Sequence, residues 1–225
     1  MPVQSRAVFV TGGTGYIGGA LLPLLLARGH QVRALTRAAS AHRLPDGVEP
    51  VIGDALDGNA VTGAVRPGET IVHLVGTPHP NPSKAQEFVQ VDLASALASI
   101  RAAQETQSPH LVYLSVAQPA PMMHEYVAVR TAAERTITGA RLTATFLRPW
   151  YVLGPGHRWP YLLLPMYAIA SWVPRLRDGS RRLGLVTLRQ MVQALIFAIE
   201  HPPAPATVRI VDVPAIRAAV IDPRQ

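Results

Sequence analysis

The sequence predicts an α/β fold, in which helices cover both faces of a doubly wound parallel sheet. Short apolar runs alternate with helix-length segments through the first two thirds of the chain, as they do where each parallel strand is reached through a helical crossover. Several runs, such as 71–75 and 111–114, are apolar at almost every position, which is typical of strands that are buried on both faces. Right-handed crossovers then place helices on either side of the sheet.

The individual elements follow from the same alternation. Strands are expected at 6–10, 31–35, 48–52, 70–75, 110–114 and 143–147, with helices near 17–28, 57–65, 84–107 and 124–139. Beyond Pro149 the chain becomes rich in Trp, Tyr, Pro and Arg and loses clean alternation. Thr187-Leu188-Arg189-Gln190 then predicts a capping box that opens a helix ending near Glu200. A last strand is expected at 208–211.

The composition predicts one globular domain and excludes several kinds of site. Hydrophobic residues make up 48% of the 225 residues and charged residues 16%, so a sizeable core is expected and disorder is not. The chain has no cysteine, which excludes disulfides, thiolate metal sites and cysteine nucleophiles. His, Asp and Glu form no cluster with metal-ligand spacing, so no metal site is predicted.

The charge and hydropathy patterns bear on partners and location. The net charge is +7, and every basic residue except Lys84 is an arginine. The arginines are scattered, with Arg181-Arg182 as the only doublet, so a nucleic-acid partner is not predicted. The chain enters a strand almost at once, and its most apolar stretch, 159–173, is broken by prolines. We therefore expect a cytoplasmic protein without integral membrane association.

A glycine-rich segment lies between the first predicted strand and the first helix. Gly12 permits a tight turn, Gly15 lets the backbone approach a phosphate without a Cβ in the way, and Gly18 lets the helix pack closely. The amide groups at the start of that helix then face an anion. The sequence therefore predicts a dinucleotide pyrophosphate site with contacts from Gly12, Thr14, Gly15, Tyr16, Ile17 and Gly18.

The segment after the glycines favours NADP(H) over NAD(H). In this architecture an acidic residue about 20 positions past the glycines holds the adenosine ribose of NAD, whereas an arginine accommodates the 2′-phosphate of NADP. No Asp or Glu occurs before Asp46, while Arg37 follows the second strand and Arg33 is a second candidate. Both could also be ordinary surface arginines. Asp54 and Ala55 follow the third strand, where Asp54 either reaches the adenine or caps a helix.

Three further segments make residues 6–157 resemble the short-chain dehydrogenase/reductase superfamily, in its extended or atypical, epimerase-like branch. They are Val72-His73-Leu74-Val75-Gly76, Val112-Tyr113-Leu114-Ser115, and Leu147-Arg148-Pro149 with Gly154-Pro155-Gly156. The resemblance implies one Rossmann-type NAD(P)-binding domain over 1–225, with a core at 6–149 and a short substrate-side extension at 150–225. It also implies that Ser115 orients the substrate and that the cofactor is lined by Leu74, Val75, Gly76 and Pro149.

The family's catalytic signature, Tyr-x-x-x-Lys, is altered in this chain to Tyr126-Val127-Ala128-Val129-Arg130. The i, i+4 spacing places Tyr126 and Arg130 on one helical face. In the family the tyrosine exchanges a proton with the substrate, and the lysine supplies a positive charge and binds the nicotinamide ribose. Arg130 is cationic but larger and planar. Either a working site has exchanged its cation, or catalysis has lapsed and Tyr126 is only a helix residue.

The resemblance implies an oxidoreductase that transfers hydride to or from a small, apolar carbonyl or alcohol. Trp150, Tyr151, Trp159 and Tyr161 lie where extended members build their substrate pocket, and the segment after Pro149 is short for a nucleotide-sugar lobe. The same rings could instead simply cover the edge of the sheet.

Two alternative functions and the oligomeric state stay open at this point. One alternative is a non-catalytic NADP(H)-sensing or assembly protein, and the other is an epimerase or dehydratase with tightly bound cofactor. The chain is expected to be a monomer or a homodimer, and members of the family that it resembles often pair through helices like 84–107 and 124–139.

Overall fold

Seven parallel strands form the central sheet. The computed structural model describes residues 5–78, 80–120, 122–155 and 183–219. The strands are β1 Ala7–Thr11, β2 Gln31–Thr36, β3 Glu49–Ile52, β4 Thr70–His73, β5 Leu111–Leu114, β6 Ala144–Leu147, β7 Tyr151–Leu153, β8 Leu185–Thr187 and β9 Val208–Val211. The main sheet has the order β3-β2-β1-β4-β5-β6-β9, and β7 pairs separately with β8. Every neighbouring pair is parallel.

Six helices accompany these strands in the described ranges. They are α1 Tyr16–Ala27, α2 Gly58–Ala64, α3 Ala94–Glu105, α4 His124–Gly139, α5 Leu188–Glu200 and α6 Val213–Ala218. The helix predicted at 84–107 is a composite, because a 3₁₀ turn (Pro82–Lys84), one α turn (Ala85–Glu87) and a π turn (Phe88–Leu93) precede α3. Sequence periodicity missed α6, which is only six residues long.

Helices cover both faces of the sheet, so the predicted doubly wound class is confirmed. Val8 and Val10 of β1 belong to one apolar cluster, with side chains of α1, α5 and α6, whereas Phe9 belongs to a second cluster with side chains of α3 and α4. All three side chains are fully buried. Burial of such a side chain contributes roughly 1.5–3 kcal/mol, and the alternation along β1 therefore attaches both helical layers to the same strand.

The strand order brings the functional loops to one edge. After β3 the chain crosses β1 and pairs β4 on its other side, so the carboxyl end of β1 lies where the direction of winding reverses. The loops that follow β1, β4, β5 and β6 all leave from the carboxyl edge of the sheet, because the strands are parallel. β9 pairs with β6, so part of the segment beyond 149 extends the main sheet.

The capping box of α5 gives a test of the fold. Thr187 Oγ1 accepts a hydrogen bond from the Gln190 amide at 3.2 Å, and the Gln190 side chain accepts one from the Thr187 amide at 2.9 Å. We expect Thr187→Ala to lower the free energy of unfolding by about 1 kcal/mol, because one amide at the helix start loses its acceptor. Urea denaturation measures this change.

Thr136→Ala is the matched control for this substitution. The Thr136 hydroxyl donates to the Ala132 carbonyl within α4, whose backbone bonds do not depend on it, and alanine favours helix. Equal loss of stability in both variants would contradict the capping role of Thr187.

Candidate active site

The turn after β1 needs glycine for two physical reasons. Gly12 has φ +80°, a conformation that favours glycine. A Cβ at Gly12 would also lie 2.8 Å from the carbonyl carbon of Leu74 and 2.9 Å from the amide nitrogen of Val75. The loop after β1 and the segment after β4 are therefore in backbone contact, and the amide of Gly15 closes the turn onto the Gly12 carbonyl at 3.0 Å.

The start of α1 is open to an anion. Gly15 is the N-cap residue and is exposed. In the described part of the chain, no side chain caps the helix and its first turn carries no acidic residue. A Cβ at Gly18 would overlap the Gly12 carbonyl oxygen and lie 2.7 Å from the Gly13 Cα. Gly18 thus permits close packing of α1 on the loop itself, and the residues present fit a dinucleotide pyrophosphate.

The other residues predicted at the loop have separate contacts. The Thr14 carbonyl accepts a hydrogen bond from Arg43 Nη2 at 2.9 Å. Ile17 packs against the cluster that α1 shares with α5. The Tyr16 hydroxyl lies so close to Gly154 that a Cβ at Gly154 would overlap it. The loop therefore also contacts the segment that follows β7.

The arginines that follow the glycine loop differ in their burial. Arg37 is exposed at the carboxyl end of β2, where it is free to meet a ligand. Arg33 is buried and bonds to Glu69 and Glu49, each at 3.1 Å, so the expectation that it could pair with a phosphate was wrong. Sequence reasoning missed Arg43, which a 3₁₀ turn at Ala38–Arg43 folds back onto the glycine loop.

Asp54 does not cap a helix. Its carboxylate accepts a hydrogen bond from the Leu56 amide at 3.0 Å in a tight turn after β3. The N-cap of α2 is Asp57, whose Oδ1 accepts hydrogen bonds from the amides of Asn59 and Ala60 at 2.9 and 3.2 Å. Asp54 is exposed at the carboxyl edge of the sheet, and Ala55 packs against the second cluster. A contact between Asp54 and adenine stays a prediction.

Tyr126 and Arg130 are in contact on α4, as their spacing predicts. The guanidinium carbon of Arg130 lies 5.2 Å from the centre of the Tyr126 ring. Arg130 is 3% exposed. Its Nη1 donates to the carbonyl of Leu114, the last residue of β5, at 2.8 Å. This bond places the pair at the carboxyl end of β5, directly beside Ser115.

A buried carboxylate that sequence reasoning missed completes this group. Asp92 is fully buried, and its Oδ1 lies 2.5 Å from Arg130 Nη2. Its Oδ2 accepts hydrogen bonds from the amide and the hydroxyl of Thr77 at 2.9 and 2.6 Å. The available signal was that Asp92 is the one acidic residue between Glu87 and Glu105, in a segment made mostly of apolar and small residues.

The charges in this group belong to one ion pair, Asp92 and Arg130, which lies near the uncharged rings of Tyr113 and His73. Burial lowers the pKa of Arg130, but the neighbouring Tyr126, Tyr113 and Asp92 outweigh it and hold the pKa above its ordinary value. Burial raises the pKa of Tyr113 to about 12 and lowers that of His73 to about 3. At neutral pH both rings are therefore uncharged and Arg130 keeps its charge.

Several buried polar atoms near this pair have no partner in the described residues. They include Ser115 Oγ and His73 Nε2. His73 Nδ1, in contrast, contacts the hydroxyls of Thr11 and Ser99 at 3.0 and 2.9 Å. An unpaired buried polar group costs about 1–3 kcal/mol, and such groups in native proteins often belong to a functional site.

The remaining predicted residues border the same edge. The Leu74 amide donates to the Thr11 carbonyl at 3.0 Å, and the buried Pro149 accepts from the Ala117 amide at 2.9 Å. The rings of Trp150 and Tyr151 meet edge to face at 5.6 Å. Gly156, Trp159, Tyr161 and the Arg181-Arg182 doublet lie outside the described residues.

Within 5–78, 80–120, 122–155 and 183–219, no three His, Asp or Glu side chains come together as a metal site. None of the helices in these ranges is both long enough and apolar enough to cross a membrane.

One family model matches most of the chain. The model of the NAD dependent epimerase/dehydratase family matches residues 8–213, from β1 to the start of α6. The chain belongs to this family. The assignment confirms the resemblance stated from the motifs. Members of this epimerase/dehydratase family bind a nicotinamide dinucleotide, and the glycine turn, the open start of α1 and the adjoining β4 segment are the parts of this member that fit one.

Two curated relatives and one solved structure are similar to this family member. It is 27% identical over 184 residues to the ceramide reductase of Caulobacter vibrioides, covering 80% of the chain and 57% of the relative. It is 28% identical over 224 residues to the 2-alkyl-3-oxoalkanoate reductase of Stenotrophomonas maltophilia, covering 86% and 65%. The chain thus spans about three fifths of the length of these relatives.

The structural comparison concerns the fold alone. The Thermus thermophilus UDP-glucose 4-epimerase in complex with NAD superposes with a TM-score of 0.66 at 19% identity. The superposition covers 95% of this chain and 81% of the epimerase. At this identity the similarity supports the Rossmann-type sheet and does not extend to the substrate.

Neighbouring glycines of α1 give a matched test of the nucleotide loop. We expect Gly18→Ala to weaken NADPH binding at least tenfold, or about 1.4 kcal/mol, because the new Cβ would displace the Gly12 and Gly13 backbone. Gly19→Ala is the control, since a Cβ there meets no atom within 4 Å. Fluorescence titration with NADPH measures both, and equal affinities would contradict the role of the loop.

Proposed function

We propose that the chain is an NADP(H)-dependent oxidoreductase that transfers hydride to or from a small, fairly apolar carbonyl or alcohol. The observation that carries the proposal is the contact between Tyr126 and the charged Arg130 at the carboxyl end of β5. This edge also holds the glycine loop, so a bound nicotinamide and a proton donor would share one site.

The roles of the side chains follow from proton balance. In the reducing direction Tyr126 donates its hydroxyl proton to the carbonyl oxygen and is left as a phenolate, which the Arg130 charge stabilises. Ser115 Oγ, which has no protein partner in the described residues, orients the carbonyl. When bound, NADPH supplies the hydride that the carbonyl carbon receives. The tyrosine regains its proton from solvent after the alcohol leaves.

The substrate class rests on the surroundings of this edge and on the relatives. Trp150 and Tyr151 follow the buried Pro149 and contribute two large rings near the site. Ligand pockets are mostly apolar with a few polar groups. Both relatives described above are named as reductases, one of a ceramide and one of a 2-alkyl-3-oxoalkanoate, which supports a carbonyl substrate with apolar substituents.

The preference for NADP(H) rests on charge after β2. Arg37 is exposed at the end of this strand and Arg43 contacts the glycine loop. No acidic residue precedes Asp46 to hold a free ribose 2′-hydroxyl. A 2′-phosphate is therefore the group that this surface favours.

A second candidate function is nucleotide binding without turnover. It is favoured by the hydrogen bonds of Arg130, because Nη1 donates to the Leu114 carbonyl and Nη2 donates to Asp92. Both terminal nitrogens are thus engaged by the protein and not by a cofactor. A protein of this kind would bind NADPH, turn over no carbonyl compound, and bind a partner with an affinity that depends on the redox state of the nucleotide. Epimerase or dehydratase chemistry would instead show as cofactor that co-purifies and regains its starting redox state after turnover.

Substitution of Tyr126 tests the oxidoreductase. We expect Tyr126→Phe to lower kcat by at least about 100-fold while NADPH affinity stays near that of the wild type, because only the proton donor is lost. Steady-state reduction of a panel of alkyl ketones, together with NADPH titration, measures the two effects. An equal loss of turnover and of NADPH affinity would contradict the role of Tyr126 as the proton donor.

Tyr113→Phe is the control for the loss of a tyrosine hydroxyl. The Tyr113 ring also lies beside Arg130, at 5.8 Å, but its hydroxyl is buried, and burial raises its pKa to about 12, so it holds its proton at neutral pH. Turnover close to that of the wild type is expected for Tyr113→Phe.

Substitution of Arg37 tests the cofactor preference. We expect Arg37→Ala to weaken NADPH binding by roughly tenfold to 100-fold, which corresponds to the loss of a charge-assisted hydrogen bond, and to leave NADH binding unchanged. Arg141→Ala is the control, because this exposed arginine follows α4 at the opposite edge of the sheet. Tighter binding of NADH than of NADPH by the wild type would overturn the NADP(H) assignment.

A further inference from the structure

We propose that Asp92 is a positioning residue that couples the cofactor-binding segment after β4 to the acid/base pair on α4. Through Thr77 it holds residues 74–77, and through Arg130 it holds the cation against Tyr126. The proposal rests on the function proposed above for Tyr126 and Arg130. It goes beyond it by assigning a task to a carboxylate that touches neither the substrate nor the cofactor.

The two carboxylate oxygens of Asp92 have separate partners. Oδ2 accepts both hydrogen bonds of Thr77, from the amide at 2.9 Å and from the hydroxyl at 2.6 Å. Oδ1 accepts from Arg130 Nη2 at 2.5 Å. A loop and a helix that are distant in sequence are thus fixed by one planar group, so a shift of either element changes the bonds to the other.

Burial makes this arrangement rigid. Asp92 is fully buried and the Arg130 side chain is 3% exposed. Separation of a buried ion pair leaves two unpaired charges away from water, which is strongly unfavourable. The guanidinium also donates to the Leu114 carbonyl at 2.8 Å. Asp92 and the Leu114 carbonyl therefore fix the guanidinium of Arg130 from two directions.

The π turn at Phe88–Leu93 aligns Asp92 with the catalytic pair. Phe88 and Asp92 are four residues apart, as are Tyr126 and Arg130, and the two pairs face each other. The Phe88 ring meets the Tyr126 ring edge-on at 5.0 Å, while Asp92 meets Arg130. Turns of this type occur often at functional sites. The same turn therefore supports both members of the acid/base pair.

Residues 74–77 complete the link to the glycine loop. A Cβ at Gly76 would overlap Arg130 Nη2 and lie 3.0 Å from Asp92 Oδ1, so the backbone here is packed directly on the ion pair. Leu74 and Val75 lie against Gly12 in the same way. Continuous contacts run from the glycine loop through 74–77 to Asp92, Arg130 and Tyr126.

Two isosteric substitutions test the coupling. Thr77→Val removes the hydroxyl bond and keeps the ion pair, whereas Asp92→Asn removes the charge that faces Arg130. We expect each to weaken NADPH binding by up to about tenfold, and the double variant to bind no more weakly than Asp92→Asn alone. Asp92→Asn is also expected to lower kcat at saturating NADPH, by up to about 100-fold, because Arg130 loses its position.

The matched control is an exposed ion pair on α3. Glu105 accepts from Arg101 at 2.6 Å, and both side chains are about half exposed. Glu105→Gln removes the same kind of charge and is expected to leave NADPH affinity and kcat at wild-type values. Thermal unfolding of every variant, with and without NADPH, shows which of them are folded.

The outcomes separate a positioning role from a structural one. Wild-type NADPH affinity in Asp92→Asn and Thr77→Val, with only a lower melting temperature, would overturn the proposal. If Asp92→Asn does not fold, Thr77→Val decides by the same criterion. Full turnover by Tyr126→Phe would remove the proposed function, whereas the effects of Thr77→Val and Asp92→Asn on NADPH affinity would still decide the role of Asp92.

Discussion

The close backbone contact between the turn after β1 and the segment after β4 is the constraint on which the site depends. It exists because β1 and β4 are parallel neighbours although β2 and β3 lie between them in the chain. Their carboxyl ends meet at one point, where a Cβ on Gly12 would lie 2.8 Å from the Leu74 carbonyl carbon. No side chain fits there. The glycine turn, the open start of α1 and residues 74–77 all take their places from this contact.

A second interaction, the buried pair of Asp92 and Arg130, connects the segment after β4 to Tyr126, the proposed proton donor. A guanidinium is planar and donates in several directions, so Arg130 can bond to Asp92 and Leu114 while its face lies near the Tyr126 ring. A lysine would be a single point charge without this fixed geometry. The arginine in this family member is thus accompanied by a carboxylate that both neutralises and orients it.

Local patterns predicted the sheet well and the polar site only in part. The central strands were found because a parallel strand buried on both faces is apolar along its whole length, and the capping box of α5 was found because its four residues interact locally. The short strands β7 and β8 were not predicted. Asp92, Arg43 and the burial of Arg33 were not predicted. Each depends on a partner between 16 and 38 residues away, or on a π or 3₁₀ turn that shifts side chains off the regular helical period.

The sequence by itself determined the α/β class, the order of the elements from β1 to β6 and the glycine turn, because all of these depend on the period of apolar residues and on the conformational freedom of glycine. It also determined that Tyr126 and Arg130 share one helical face. Only the tertiary structure decided which charges are buried together. Arg33 and Arg37 are four residues apart, yet Arg33 is buried and bonds to two glutamates, whereas Arg37 is exposed at the carboxyl end of β2. Burial and pairing depend on strand order and helix packing, which no local pattern contains.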